Sequence, residues 1–105
     1  MELIDAPLRE SGQPDMGELL RALGGRGVTR VLVEGGGRIT GALLAADLID
    51  RIVWFRAPLM IGGDGTPVAA AFGVDRLADA RRFVRRAVEP CGEDIIETYE
   101  ALARA

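Results

Sequence analysis

At 105 residues, with 49% hydrophobic and 28% charged positions and a formal net charge of -3, the chain has the make-up of one small globular unit, with no room for a second domain. The acidic balance excludes bulk attraction to nucleic acid or an anionic membrane. The absence of histidine and the single cysteine, Cys91, remove zinc hydrolysis, histidine-dependent triads and an internal disulfide. A chain this size buries a modest core and gains from self-association, so a homodimer is expected.

The start, Met1 to Ser11, carries Glu2, Asp5, Arg9 and Glu10 without a long apolar run; neither a signal peptide nor a membrane span is expected, and the cytoplasm is the expected location. Glu2 to Pro7 reads as a short extended piece, followed by the loop Ser11-Gly12-Gln13-Pro14. Asp15 can cap a helix, with Glu18 placed as in a capping box and Met16, Leu19, Leu20 and Leu23 on one apolar face; Gly24 and Gly25 are expected to stop it. Val28 to Val33 then reads as a strand buried on both faces of a partly parallel sheet.

The glycine run Gly35-Gly36-Gly37 follows this strand and leads into a helix expected from about Arg38 to Asp47, with Ile39, Ala42, Leu43 and Ala46 facing inward. Three successive residues without Cβ let the backbone take positive φ and let a ligand approach the main chain. The unpaired N–H groups and positive dipole end of the helix favour a phosphate there. The turn alone is equally consistent with a tight strand-to-helix bend that holds nothing. Gly41, inside the helix, is expected to mark close packing of helix on sheet.

Ile49 to Phe55 reads as a second strong strand, with Trp54 and Phe55 suited to a core or a subunit interface. A second glycine-rich loop, Ala57 to Pro67, follows it. Gly62 to Thr66 reads as a flexible connection with a turn at Asp64-Gly65, and the two glycine loops could face one ligand. Arg82 to Val88 and Ile95 to Tyr99 read as a closing hairpin, the alternative being helices over Leu77–Val88 and Ile95–Arg104. Arg81, Arg82, Arg85 and Arg86 would then oppose Glu93, Asp94, Glu97 and Glu100 across it, and Cys91 would sit incidentally in the turn.

Four stretches in order, Leu20 to Gly24, Val31 to Gly37, Leu43 to Asp50 and Ala57 to Gly65, resemble the C-terminal reductase domain family of the riboflavin biosynthesis protein RibD. The resemblance runs from Asp15 to Tyr99. It implies an α/β, dihydrofolate-reductase-like fold, here its C-terminal portion: a mixed, mostly parallel sheet with flanking helices and a closing antiparallel hairpin. It also implies NADPH-dependent reduction of the ribosyl group of 5-amino-6-(5-phosphoribosylamino)uracil, a pyrimidine ribotide, to a ribityl group. By the same resemblance Gly35, Gly36, Gly37, Arg38, Ile39 and Thr40 hold the cofactor's phosphates, Glu34 contacts substrate, and a cis peptide is expected at Gly35-Gly36 or Gly36-Gly37. No side chain is assigned to catalysis and no metal is called for, since hydride transfer is carried by the nicotinamide.

The chain is expected to lack the N-terminal strands of the full domain. Two other readings follow from the residues. One is a non-catalytic truncated remnant that self-associates. The other is a generic Rossmann-type NADP-binding fragment, in which Gly35, Gly37 and Gly41 form the fingerprint and Arg56, at the end of the next strand, receives a 2′-phosphate. A carboxylate introduced at Gly36 should repel a phosphate.

Overall fold

The capped helix expected after Asp15 is α1, Met16–Gly25, in the computed structural model, which describes Met1 and residues 3–102. Asp15 is extended and its carboxylate accepts the Glu18 N–H at 3.1 Å. The capping box is only half made: the Glu18 carboxylate pairs with Arg21 instead, and the Asp15 N–H goes to the Pro7 carbonyl at 3.0 Å. α1 ends at Gly25, the second of the two glycines expected to stop it. Gly27, with φ +88, then turns the chain away: Val28 N–H reaches the Leu23 carbonyl at 3.1 Å and Gly27 N–H the Gly24 carbonyl at 3.0 Å, closing a Schellman motif. Glu2 and Arg104, which entered the sequence expectations, lie outside the described residues; Leu3 to Pro7 joins no ladder.

The largest departure is Val28–Val33. The segment forms no strand, and Val31 and Leu32 are 49% and 81% exposed. A parallel strand satisfies its backbone only between neighbouring strands, and none of the described residues pairs with this one. The sheet is therefore antiparallel rather than mostly parallel. It comprises β1 (Arg51–Arg56), β2 (Phe83–Cys91) and β3 (Asp94–Ala101) in the order β1-β3-β2. The closing hairpin is β2–β3, as the alternation of apolar residues implies. Its two-residue turn has Gly92 at φ +60 in the first central position, and a bulge at Arg85/Ala87 interrupts β2. The alternative of two terminal helices is not realised.

Helix α2 spans Gly37–Ala45, and its buried residues are Gly41 and Leu43, whereas Ile39 and Ala46 are exposed. The buried stripe is rotated from the expected one because its partner is not a sheet but the backbone of Pro67–Ala70. A Cβ at Gly41 would lie 2.8 Å from the Ala70 carbonyl oxygen and one at Gly37 3.0 Å from that of Pro67, while Ala70 N–H donates to the Gly37 carbonyl at 2.8 Å. Two glycines one helical turn apart thus make a groove in which another backbone lies.

The far end of α2 closes in a second Schellman motif, with Leu48 N–H on the Leu43 carbonyl at 3.0 Å and Asp47 at φ 56. Arg81, expected across the hairpin, is found here instead. Its guanidinium donates to the Leu44 and Ala45 carbonyls at 2.8 and 3.0 Å, pairs with Asp47 at 3.0 Å and lies 5.5 Å from the Phe72 ring centroid. A cation is favourable at a helix C-terminus, and this one also holds a non-glycine residue at positive φ. Among the described residues no large side chain is fully buried; Met16 and Leu43 are the buried apolar ones, and no helix is long and apolar enough to cross a membrane.

Three outcomes follow for urea denaturation. Gly41→Ala should lower stability by about 1–2 kcal/mol, overpacking against Ala70 outweighing the gain in helix propensity. Gly24→Ala, whose Cβ meets nothing within 4 Å, should raise it by up to about 1 kcal/mol. Arg81→Ala should cost about 1–3 kcal/mol, because it strips charged hydrogen bonds from half-buried carbonyls, and the loss should appear in the same unfolding transition.

Candidate functional site

The residues expected to hold phosphate come together at the start of α2. Gly36 is the N-cap, with φ 93 and ψ 101 and no side-chain capping bond, and Thr40 N–H makes the first helical bond, to the Gly36 carbonyl at 3.0 Å. The N–H groups of Gly37, Arg38 and Ile39 precede that bond and have no intrahelical acceptor. Glu34, Gly35, Gly36, Arg38 and Ile39 are exposed and Thr40 is half-buried. The expected cis peptide is absent: no described peptide bond is cis, and the bend at the glycines is made instead by the positive φ of Gly36.

The three glycines differ in why glycine is there. Gly36 is required by its φ, and Gly37 by the approach of the Pro67 carbonyl. Gly35 has an ordinary φ, and a Cβ on it would meet nothing within 4 Å, so the packing of this chain makes no demand for glycine at that position. The second glycine-rich loop reaches the corner through Pro67–Ala70 on α2, while its turn is closed locally by Gly65 N–H on the Gly62 carbonyl at 2.9 Å.

The corner is a set of open main-chain donors with space before them, which suits an anion and offers no nucleophile. The Rossmann alternative fares worse. β1 runs antiparallel to β3, and the Arg56 guanidinium expected to take a 2′-phosphate is 2.5 Å from the Glu97 carboxylate.

Glu97 itself was not singled out as more than a cross-hairpin charge. It is 5% exposed on the central strand, directly opposite Trp54, and receives both the Arg56 ion pair and the Tyr99 hydroxyl. Of the expected cross-hairpin pairs, Arg86 with Glu100 forms, at 3.2 Å, while Arg51 of β1 also reaches Glu100 at 3.5 Å. The period-two spacing of Ile95, Glu97 and Tyr99 placed Glu97 on one face with Tyr99, but its burial depends on Trp54 and Arg56 from a distant strand.

The bond to the Glu97 carboxylate raises the Tyr99 phenol above its usual 10.0; partial desolvation adds to the rise and Arg85 opposes it. Because the folded value is raised, the protonated phenol favours the fold below pH 10, and that contribution is lost as pH rises through the folded value. Ultraviolet titration of the phenolate should give a midpoint above 10.0 that falls towards it in Glu97→Gln.

The family model described as the RibD C-terminal domain matches residues 6–96. The chain is 42% identical over 79 residues to the riboflavin biosynthesis protein RibD of Mycobacterium tuberculosis, covering 75% of this chain and 22% of that protein. It is 34% identical over 86 residues to the 2,5-diamino-6-ribosylamino-4(3H)-pyrimidinone 5′-phosphate reductase of Methanothermobacter thermautotrophicus, covering 81% of this chain and 40% of that one. The structure of Acinetobacter baumannii RibD superposes with a TM-score of 0.73 at 26% identity, over 80% of this chain and 24% of that chain. The chain thus spans from under a quarter to two fifths of the proteins it matches, and within that span the α/β arrangement is theirs. On the match over residues 6–96, the chain belongs to the RibD C-terminal domain family.

Proposed function

We propose that the chain carries the cofactor-phosphate corner of an NADPH-dependent reductase of riboflavin biosynthesis, acting in the cytoplasm on a pyrimidine ribotide of the 5-amino-6-(5-phosphoribosylamino)uracil type and converting its ribosyl group to ribityl. Gly35 carries the reading: glycine stands where neither φ nor chain packing requires it, beside N–H groups of Gly37, Arg38 and Ile39 that no helical carbonyl accepts. A phosphate suits such main-chain N–H groups by its charge and its acceptor oxygens. When bound, NADPH supplies the hydride; the residues present contribute binding and alignment, with Gly35, Gly36, Gly37, Arg38, Ile39 and Thr40 on phosphate and Glu34 towards substrate.

As a single RibD reductase-like domain, the chain corresponds to the C-terminal portion of such a reductase. The family's own names support a reductase of this pathway: one relative of Buchnera aphidicola, 27% identical, is a 5-amino-6-(5-phosphoribosylamino)uracil reductase. A second reading, a non-catalytic remnant that self-associates, is favoured by the exposed Val31–Val33 segment and the small core.

Calorimetric titration separates the two readings. NADPH should bind saturably and in preference to NADH, and Gly35→Asp should weaken NADPH binding by about tenfold or more, through charge opposition and bulk, without lowering the melting temperature. Gly36→Asp is the poorer test, because a side chain at φ 93 is strained whatever the ligand. Absence of binding to the folded wild-type chain would leave the remnant reading, and an unaltered affinity in folded Gly35→Asp would remove phosphate from this corner.

A further inference from the structure

The Gly37 carbonyl takes two donors. It accepts the intrahelical N–H of Gly41, since α2 begins at Gly37, and it also accepts Ala70 N–H at 2.8 Å. The first bond already satisfies that carbonyl, so the second is not needed to relieve an unpaired polar group. The peptide unit it acts on is Gly37–Arg38, and the N–H of that unit, on Arg38, is one of those at this helix start without an intrahelical acceptor. Among the described residues, no other peptide carbonyl of the first turn takes a backbone donor from outside α2. The sequence admits this bond at the expense of the helix: glycine is the weakest helix former after proline, yet Gly37 and Gly41 both lie in the first five residues of α2. A Cβ at Gly37 would lie 3.5 Å from the Ala70 nitrogen, and one at Gly41 3.3 Å from it and 2.8 Å from the Ala70 oxygen. Both glycines stand where the Ala70 donor comes in.

We infer that Ala70 is a positioning residue of the phosphate corner and acts through its main chain: its N–H holds and polarises the Gly37–Arg38 peptide, so that Arg38 N–H meets the anion already oriented. A donor on a peptide carbonyl strengthens the N–H of the same peptide as a donor in turn, and it fixes the plane in which that N–H points. The inference rests on the reading of this corner as a phosphate site. It makes Arg38 contribute through its backbone rather than its guanidinium, and it couples the segment after the second glycine-rich loop to the ligand through a single bond. The Ala70 side chain takes no part, so the effect belongs to the N–H alone.

Calorimetric titration with NADPH and the amide proton resonances of the free chain together test this. Replacing the Ala69–Ala70 amide of a synthetic full chain by an ester, with L-lactate in place of Ala70, removes that N–H and should weaken NADPH binding about three- to tenfold. The same replacement at Ala80, whose N–H bonds the Leu77 carbonyl at 3.1 Å, should leave the affinity unchanged. Before any ligand is added, the Arg38 amide proton should lie upfield in the Ala70 ester relative to wild type, while that of Ile39 stays; a loss of stability alone would not single out Arg38. Gly41→Ala, which crowds Ala70, tests the same bond without an ester and should move the affinity and the Arg38 resonance in the same directions, with Gly24→Ala as its control. An Ala70 ester that binds NADPH as tightly as wild type, an equal loss in the Ala80 ester, or an unmoved Arg38 resonance would overturn the inference and leave the phosphate corner standing. A folded wild-type chain that binds no NADPH would remove the corner and the inference together.

Discussion

The approach of the Pro67–Ala70 backbone to Gly37 and Gly41 is the contact on which the helical half of the molecule depends. No apolar side chain is needed at that point; the absence of two Cβ atoms brings main chain against main chain, and the Gly37 carbonyl receives the Ala70 N–H. The same connector then travels to the other end of the helix, where Arg81 closes on Leu44, Ala45 and Asp47. α2 is thereby gripped at both ends by one segment whose own ends are strands of the sheet, β1 before it and β2 after it. Since few large side chains are buried, polar and backbone contacts of this kind carry the positioning that a larger hydrophobic core would otherwise supply.

This arrangement bears directly on the candidate site. A ligand seated at the first turn of α2 would sit on a helix whose orientation is set by the Gly37–Ala70 bond, so the second glycine-rich loop influences the corner by holding its floor. The Gly62–Gly65 turn needs no contact with the ligand to do so. Family membership and geometry agree here at the level of elements: the match over residues 6–96 includes the corner, the helix and the connector together.

What was readable in the sequence was local. The Asp15 cap, a strand through Arg51–Phe55 and the hairpin each follow from neighbours within a few residues and are found in the structure, although β1 runs Arg51–Arg56 rather than Ile49 to Phe55. The end of α1 at Gly25 also follows from the glycine pair, and Gly27 supplies the positive φ that turns the chain away. Val28–Val33 was misread: an apolar run tells how a strand would be buried, but the burial itself is supplied by neighbouring strands. Arg81 leaves no periodic trace, and the period-two spacing that puts Glu97 on one face with Tyr99 does not reveal its burial. Their partners lie on other elements, and an arginine following a loop looks the same whether it faces water or the end of a helix.

The two-residue turn at Gly92 has a consequence for the cost of assembling the sheet. Bringing β2 onto β3 closes almost no loop, whereas bringing β1 onto β3 joins Arg56 to Ile95 across the whole connector. By ideal-chain scaling the second closure costs about 2–3 kcal/mol more in chain entropy. The hairpin is thus the inexpensive part of the topology, and the entropy lost in enclosing the connector must be recovered largely from the contacts that the connector makes with α2.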